Sequence, residues 1–272
     1  MTRMKIFLGT VVTFCTLACS VLTASAQAKG TIYIKGSDKG ITGQIRWSQA
    51  KKGYDVVRDG SDRGTLVPLR KVERISVSRP AGLVAAARNV RDESYEGPHI
   101  DDLKRIVSVY LMLEHDMVAA AYLAEAYLAT GNTRQAAATC QKVRANRTAT
   151  QLSADFLRVY WRTLLENQKH STLQQEVKEI IETGPRPVAA LAQLMRGDID
   201  VSKGNYERAL IDGYLRTVIL FGDVRDVQPE ALYKAARCFE ELGESVNAEK
   251  MRKKLLAVYP GSDYSKKIQA GG

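Results

Sequence analysis

Two periodicities divide this chain. From Thr31 to Val77 apolar residues alternate with polar ones in short runs separated by turn clusters. Thr31-Ile32-Tyr33-Ile34 leads into Gly36-Ser37-Asp38-Lys39-Gly40, and Ile41, Gly43, Ile45 and Trp47 then occupy alternate positions. Lys51-Lys52-Gly53 turns again before Tyr54-Asp55-Val56-Val57. Asp59-Gly60 through Gly64 turns before Thr65-Leu66-Val67-Pro68, and Val72, Ile75 and Val77 close the set. Period two with such spacing predicts four or five short strands in a small antiparallel sheet or barrel.

Pro80 ends that region. Ala81 to Arg91 reads as a connecting helix and Asp92 to Pro98 as a linker. From Ile100 the period lengthens: Ile100, Leu103, Ile106, Val107, Tyr110 and Leu111 follow steps of three and four, the stripe of an amphipathic helix. The pattern stays helical almost to the end, with breaks at Gly131, Gly184-Pro185, Gly204, Gly222 to Pro229, Gly243 and Pro260.

The breaks carry a repeat. Ala124, Gly131 and Ala136 are spaced seven then five, and Gly197, Gly204, Ala209 and Ala236, Gly243, Ala248 repeat that spacing. Trp161, Leu164, Gln168 and Leu173 fit the frame with degenerate residues. Taking Gly131, Gln168, Gly204 and Gly243 as turns, the steps are 37, 36 and 39 residues, and Gly213 displaces a large residue by one place. Small residues let two antiparallel helices cross closely, and a positive-φ turn favours Gly. The frame resembles the tetratricopeptide repeat, a helical hairpin of about 34 residues, over roughly residues 115–262 and in three or four copies. Gly204-Asn205-Tyr206-Glu207-Arg208-Ala209-Leu210 is the best local match, and Tyr259-Pro260 resembles the repeat ends of exported members. The strand region resembles, more loosely, the SH3-like or Sm-like small barrels.

The first residues add a location. Arg3 and Lys5 precede an apolar run from Ile6 to Leu22, and Ala24-Ser25-Ala26 precedes Gln27. This is the three-part pattern of a secretory signal, with cleavage between Ala26 and Gln27. An uncleaved anchor and lipidation at Cys19 are the alternatives. The predicted organisation is therefore a signal segment 1–26, a β-barrel-like domain 27–79, a linker 80–99 and a mainly α, repeat-built solenoid 100–272, in a periplasmic or secreted protein without a further membrane span.

Composition narrows the chemistry. Hydrophobic residues make up 45% and charged residues 26% of 272, as in a folded chain. The net charge is +10, or +8 once Arg3 and Lys5 are removed, and it is spread along the chain. Export and this spread argue against nucleic acid as a partner. Cys140 and Cys238, the cysteines left after cleavage, fall at helix-core positions and read as free buried thiols. His99, His115 and His170 lack metal-ligand spacing; His115 and His170 read as surface turn residues. Glu240-Glu241 and Asp198/Asp200 read as solvated helix faces. No catalytic constellation and no cofactor motif is visible, so the reading is a non-enzymatic scaffold.

The family resemblance implies a binding groove lined by the first helix of each hairpin. Carried onto this chain, the frame names Glu125 and Leu128, Arg158 and Arg162, Leu194 and Asp198, and Tyr233 and Arg237. Such a groove would take a protein or peptide partner, with an acidic tail suited to the arginines. An alternative is a glycan or peptidoglycan-surface binder in which Trp47 and Tyr54 stack on sugars, although alternation places Trp47 with the core residues Ile41 and Ile45.

Overall fold

The computed structural model describes residues 28–37 and 39–270. The signal pattern, its Ala26–Gln27 junction and Cys19 lie outside the described residues. The described residues begin with five antiparallel strands: β1 (Ala28–Ile34), β2 (Gly40–Ser48), β3 (Gly53–Val57), β4 (Gly64–Pro68) and β5 (Val72–Val77). Their order across the sheet is β4-β3-β2-β1-β5. Alternation works as expected in β2, where Gly43, Ile45 and Trp47 face the core.

The expected closed barrel is instead an open sheet, because edge strands β4 and β5 do not pair with each other. They are joined only by the short turn Leu69–Lys71, whose four Cα steps span at most about 14 Å. Four spacings of a flat sheet would separate the edges by about 19 Å. The sheet must therefore curl. Its edges are tethered through the turn, where Leu69 N–H donates to Lys52 O at 3.0 Å and Lys35 N–H to Lys71 O at 2.9 Å.

Among the described residues twelve α-helices follow, with one 3-10 turn (Ala149–Gln151) and one π segment between them. α1 (Leu83–Arg91) is the connecting helix expected over Ala81 to Arg91, and it buries Leu83, Ala86, Ala87 and Val90. α2 (Pro98–Val109) starts with Pro in its first turn, where the missing N–H costs nothing. Four hairpins come next. They are α3 (Asp116–Ala129) with α4 (Thr133–Arg144), and α5 (Ala154–Glu166) with α6 (His170–Thr183). α7 (Arg186–Val201) pairs with a composite helix of α8 (Tyr206–Arg208), a π segment (Ala209–Tyr214) and α9 (Leu215–Leu220). α10 (Gln228–Glu241) pairs with α11 (Ser245–Val258), and α12 (Asp263–Ala270) closes the array.

The four turn positions named from the sequence all adopt positive φ: 75° at Gly131, 56° at Gln168, 74° at Gly204 and 75° at Gly243. Gln168 thus occupies a conformation that a side chain disfavours. The π segment has a readable origin too. One inserted residue in a helix is absorbed as an i→i+5 bulge, and it falls where Gly213 pushes Tyr214 one place along. There the helices cross closely: a Cβ on Gly213 would come within 2.4 Å of Gly197 Cα, and one on Gly197 within 2.5 Å of the Tyr214 ring.

Sheet and array share one core, joined by a buried polar knot. Tyr54 Oη donates to Met112 O at 2.8 Å, and Met112 N–H donates to Asp116 Oδ2 at 2.8 Å. Met112 itself is held at φ 62° between α2 and α3. Arg147 Nη2 donates to both Asp116 oxygens at 2.8 and 2.9 Å, and Nη1 to Val143 O at 2.8 Å. The Asp116 and Arg147 side chains are 0% and 6% exposed. Burial pushes the Asp116 carboxyl up, against the pull of Arg147 and of the Met112 and Met117 amides. Burial also pushes the Tyr54 hydroxyl up to about 12, so it remains a donor.

Arg147→Ala should destabilise the protein by about 3–5 kcal/mol in chemical denaturation, because it strands a buried carboxyl. Gln168→Gly should stabilise it by about 0.5–1 kcal/mol, since glycine relieves the left-handed strain at some cost in unfolded-chain entropy.

Candidate functional site

The inner helices α3, α5, α7 and α10 were expected to line one continuous groove. They bring Asp198, Tyr233 and Arg237 together around one cavity, but a network of ion pairs runs through Arg158 and Asp198. Arg158 of α5 pairs with Glu230 of α10, 72 positions away. Neighbouring helices pack about 8–10 Å apart, so a direct bridge across the intervening hairpin requires the face to be drawn inward. Lys234 binds Glu230 Oε1 at 2.7 Å and both oxygens of Asp198 at 2.8 and 2.7 Å. Tyr214 Oη donates to Asp198 Oδ1 at 2.7 Å. Three successive hairpins are thereby tied through their first helices.

The electrostatics follow from that pairing. Burial alone would raise the Glu230 carboxyl, but Lys234 and Arg158 hold it below the usual range. Burial alone would lower the Lys234 ammonium, but Asp198 and Glu230 raise it. Burial, reinforced by Asp198, raises the Tyr214 hydroxyl far above the neutral range, fixing it as a donor.

Beside the network lies a cavity of about 310 Å³, lined by Asp198, Tyr206, Tyr214, Tyr233, Lys234 and Arg237 together with Val201, Cys238 and Glu241. Three residues named from the sequence, Asp198, Tyr233 and Arg237, meet here. Tyr233 also packs on Tyr264 of α12, with ring centroids 5.3 Å apart. Arg237 is exposed, with Glu240 at 3.8 Å. On the far side of the network Glu125 is half-buried near Arg162. Burial raises its carboxyl against the pull of that guanidinium, while Arg162 itself is exposed. Leu128 is half-buried.

Other positions differ from their sequence reading. Leu194 is 1% exposed and cannot line a groove; α7 buries 11 of its 16 residues, so it is covered almost all round. For the same reason Asp198 and Asp200 are not a solvated face: Asp200 is buried with Arg208 Nε at 3.5 Å. Trp47 and Tyr54 are 7% and 2% exposed and pack edge to face at 5.1 Å, leaving no ring face for a sugar. His115 and His170 are half-buried rather than on open turns, each with one enclosed ring nitrogen. Cys140 and Cys238 are buried free thiols, pushed up to about 12 and about 11 by burial. Glu230, Lys234 and Tyr264 escaped the sequence reading. The i,i+4 spacing of Glu230 and Lys234 was the available signal.

A sequence profile of the tetratricopeptide repeat family matches residues 122–147 and 230–262, within the first and last hairpins. The chain therefore carries tetratricopeptide repeats. No curated protein is significantly similar in sequence. Among solved structures, a crystal structure of MamA is 16% identical over 71% of this chain and 99% of its own, with a TM-score of 0.45. A Podosopora anserina structure of kinesin light chain type, with nearly identical TPR-like repeats, is 16% identical over 70% of this chain and 95% of its own, with a TM-score of 0.48.

Lys234→Met should leave Glu230 with Arg158 alone and Asp198 with Tyr214 alone, and lower stability by about 1–3 kcal/mol in chemical denaturation. The depressed carboxyl of Glu230 contributes stability above its unfolded pKa near 4.5, and this is lost as pH falls through the lower folded value. Acid titration of wild type should therefore lose stability below pH 4.5 more steeply than Glu230→Gln.

Proposed function

We propose that this protein is an exported, non-enzymatic adaptor of the bacterial cell envelope that docks a partner segment at the inner end of its repeat array. The observation that carries the reading is the cavity between α7 and α10. Three tyrosines form its walls; Lys234 is neutralised by Asp198 and Glu230, and Arg237 is the exposed cation on its lining, beside Glu241. Tyr and Arg supply much of the energy at protein interfaces, because they offer large rigid area or planar charge. A side chain entering the cavity would be held by the rings, and a carboxylate beside it would meet Arg237. The fitting partner is an extended segment combining an aromatic or large apolar residue with acidic neighbours.

The mechanism is passive. The ion-pair network fixes α5, α7 and α10 before the partner arrives, so ordering costs fall mainly on the partner. Arg158 acts in this account through Glu230, as a brace. Arg162 and Glu125 extend the docking face beyond it. Export rests on the pattern of residues 1–26, and among the described residues no helix is long and apolar enough to cross a membrane. The curled, open sheet is a second module, held to the array through Tyr54 and Met112.

A random-peptide display selection against the whole protein tests this reading. Enriched peptides should pair aromatic or large apolar residues with Asp or Glu, and Tyr233→Ala with Arg237→Ala should weaken them at least tenfold. Peptides of no common chemistry, or affinity unchanged in that variant, would refute it.

A further inference from the structure

A second surface stands apart from the tyrosine cavity, at the free edge of the sheet. β5 pairs with β1 alone. Ser78 N–H donates to Lys29 O at 3.0 Å, and the register sets Ser76 opposite Thr31 and Arg74 opposite Tyr33. Residues 74, 76 and 78 thus turn their backbone groups toward β1. Antiparallel alternation then turns the N–H and C=O of Ile75 and Val77 outward. Among the described residues no second strand pairs with β5 to take them up. An unpaired edge row of this kind is a template for an added strand.

The space beside this edge is shaped to receive one. A cavity of about 510 Å³ separates β5 from the corner between α2 and α3, and Val72, Ile75 and Met117 contribute its apolar lining. Val72 and Ile75 are only partly covered by the core. The charges flanking the edge are unequal. Lys35, Lys71, Arg74 and Arg79 are exposed, against Glu73 and Glu114, and none of the four cations is ion-paired with an acid among the described residues. Arg74 instead lies over the Tyr33 ring at 3.4 Å.

We infer that the β5 edge is a docking site for an extended segment of a partner protein in which apolar and acidic residues alternate. Main-chain bonds to Ile75 and Val77 would supply register. Alternate apolar side chains would cover Val72, Ile75 and Met117, and the acidic ones between them would face the cations. The site is independent of the tyrosine cavity, so the chain could hold two segments at once, one on each module.

The test uses the whole protein and a capped ten-residue peptide alternating valine and glutamate, with its valine–lysine counterpart as control. Amide exchange at Ile75 and Val77 should be fast in the free protein and slow at least tenfold with the glutamate peptide, but not with the lysine peptide. Ile75→Pro removes one outward N–H without touching the β1 ladder, a substitution that edge strands tolerate. It should weaken binding at least tenfold while Arg74 and Ser76 stay protected. Lys35→Glu with Lys71→Glu should reverse the preference between the two peptides, and keeps the question answerable if the proline variant does not fold. Protection of Ile75 and Val77 before any peptide is added, no change on adding it, or equal binding of both peptides would overturn the inference.

Discussion

The bridge from Arg158 to Glu230, continued through Lys234 to Asp198, is the interaction on which the working face depends. It joins the first helices of three hairpins that the chain separates by a repeat or more. Apolar packing between hairpins is non-directional and would tolerate several curvatures. A half-buried ion network with fixed donors does not, because a slipped hairpin would leave Glu230 or Asp198 enclosed with fewer partners. The network therefore sets how tightly the array closes, and with it the width of the tyrosine cavity beside it.

A second polar knot does the corresponding work at the other end. Met112 sits in a left-handed conformation between α2 and α3, pinned on one side by Asp116 and on the other by Tyr54. Arg147, reaching back from beyond α4, neutralises the carboxylate that holds it. Sheet and array are thus fixed relative to each other by hydrogen bonds as well as by their shared core. That rigidity is what the proposed adaptor role would require, since a fixed separation between two docking sites is part of specificity.

Much of this architecture was legible in the residues. Strand positions followed from alternation broken by glycine-rich turns, and every hairpin turn was located from the seven-then-five spacing, including the degenerate one at Gln168 where large residues stand in for small ones. The displaced Tyr214 pointed to the site of the π segment. What the sequence did not convey was tertiary in origin. Leu194 and Asp198 share a face that the amphipathic frame marks as open, yet α7 is surrounded by its neighbours. The ion network needed three helices in place before Glu230 or Lys234 could be recognised as more than a solvated pair. Barrel closure failed to follow from turn spacing because closure depends on how the two edges meet, and the Leu69–Lys71 turn tethers them without a ladder.

The central claim is that the partner is held at the α7–α10 cavity. Photo-crosslinking in living cells tests it most directly, with a photoreactive amino acid placed at the exposed cavity-lining Glu241 in one strain and at the exposed Lys253 of α11 in another. The account predicts a discrete crosslinked partner from position 241 and none from position 253. Adducts of equal yield from both positions, or adducts only from position 253, would contradict it.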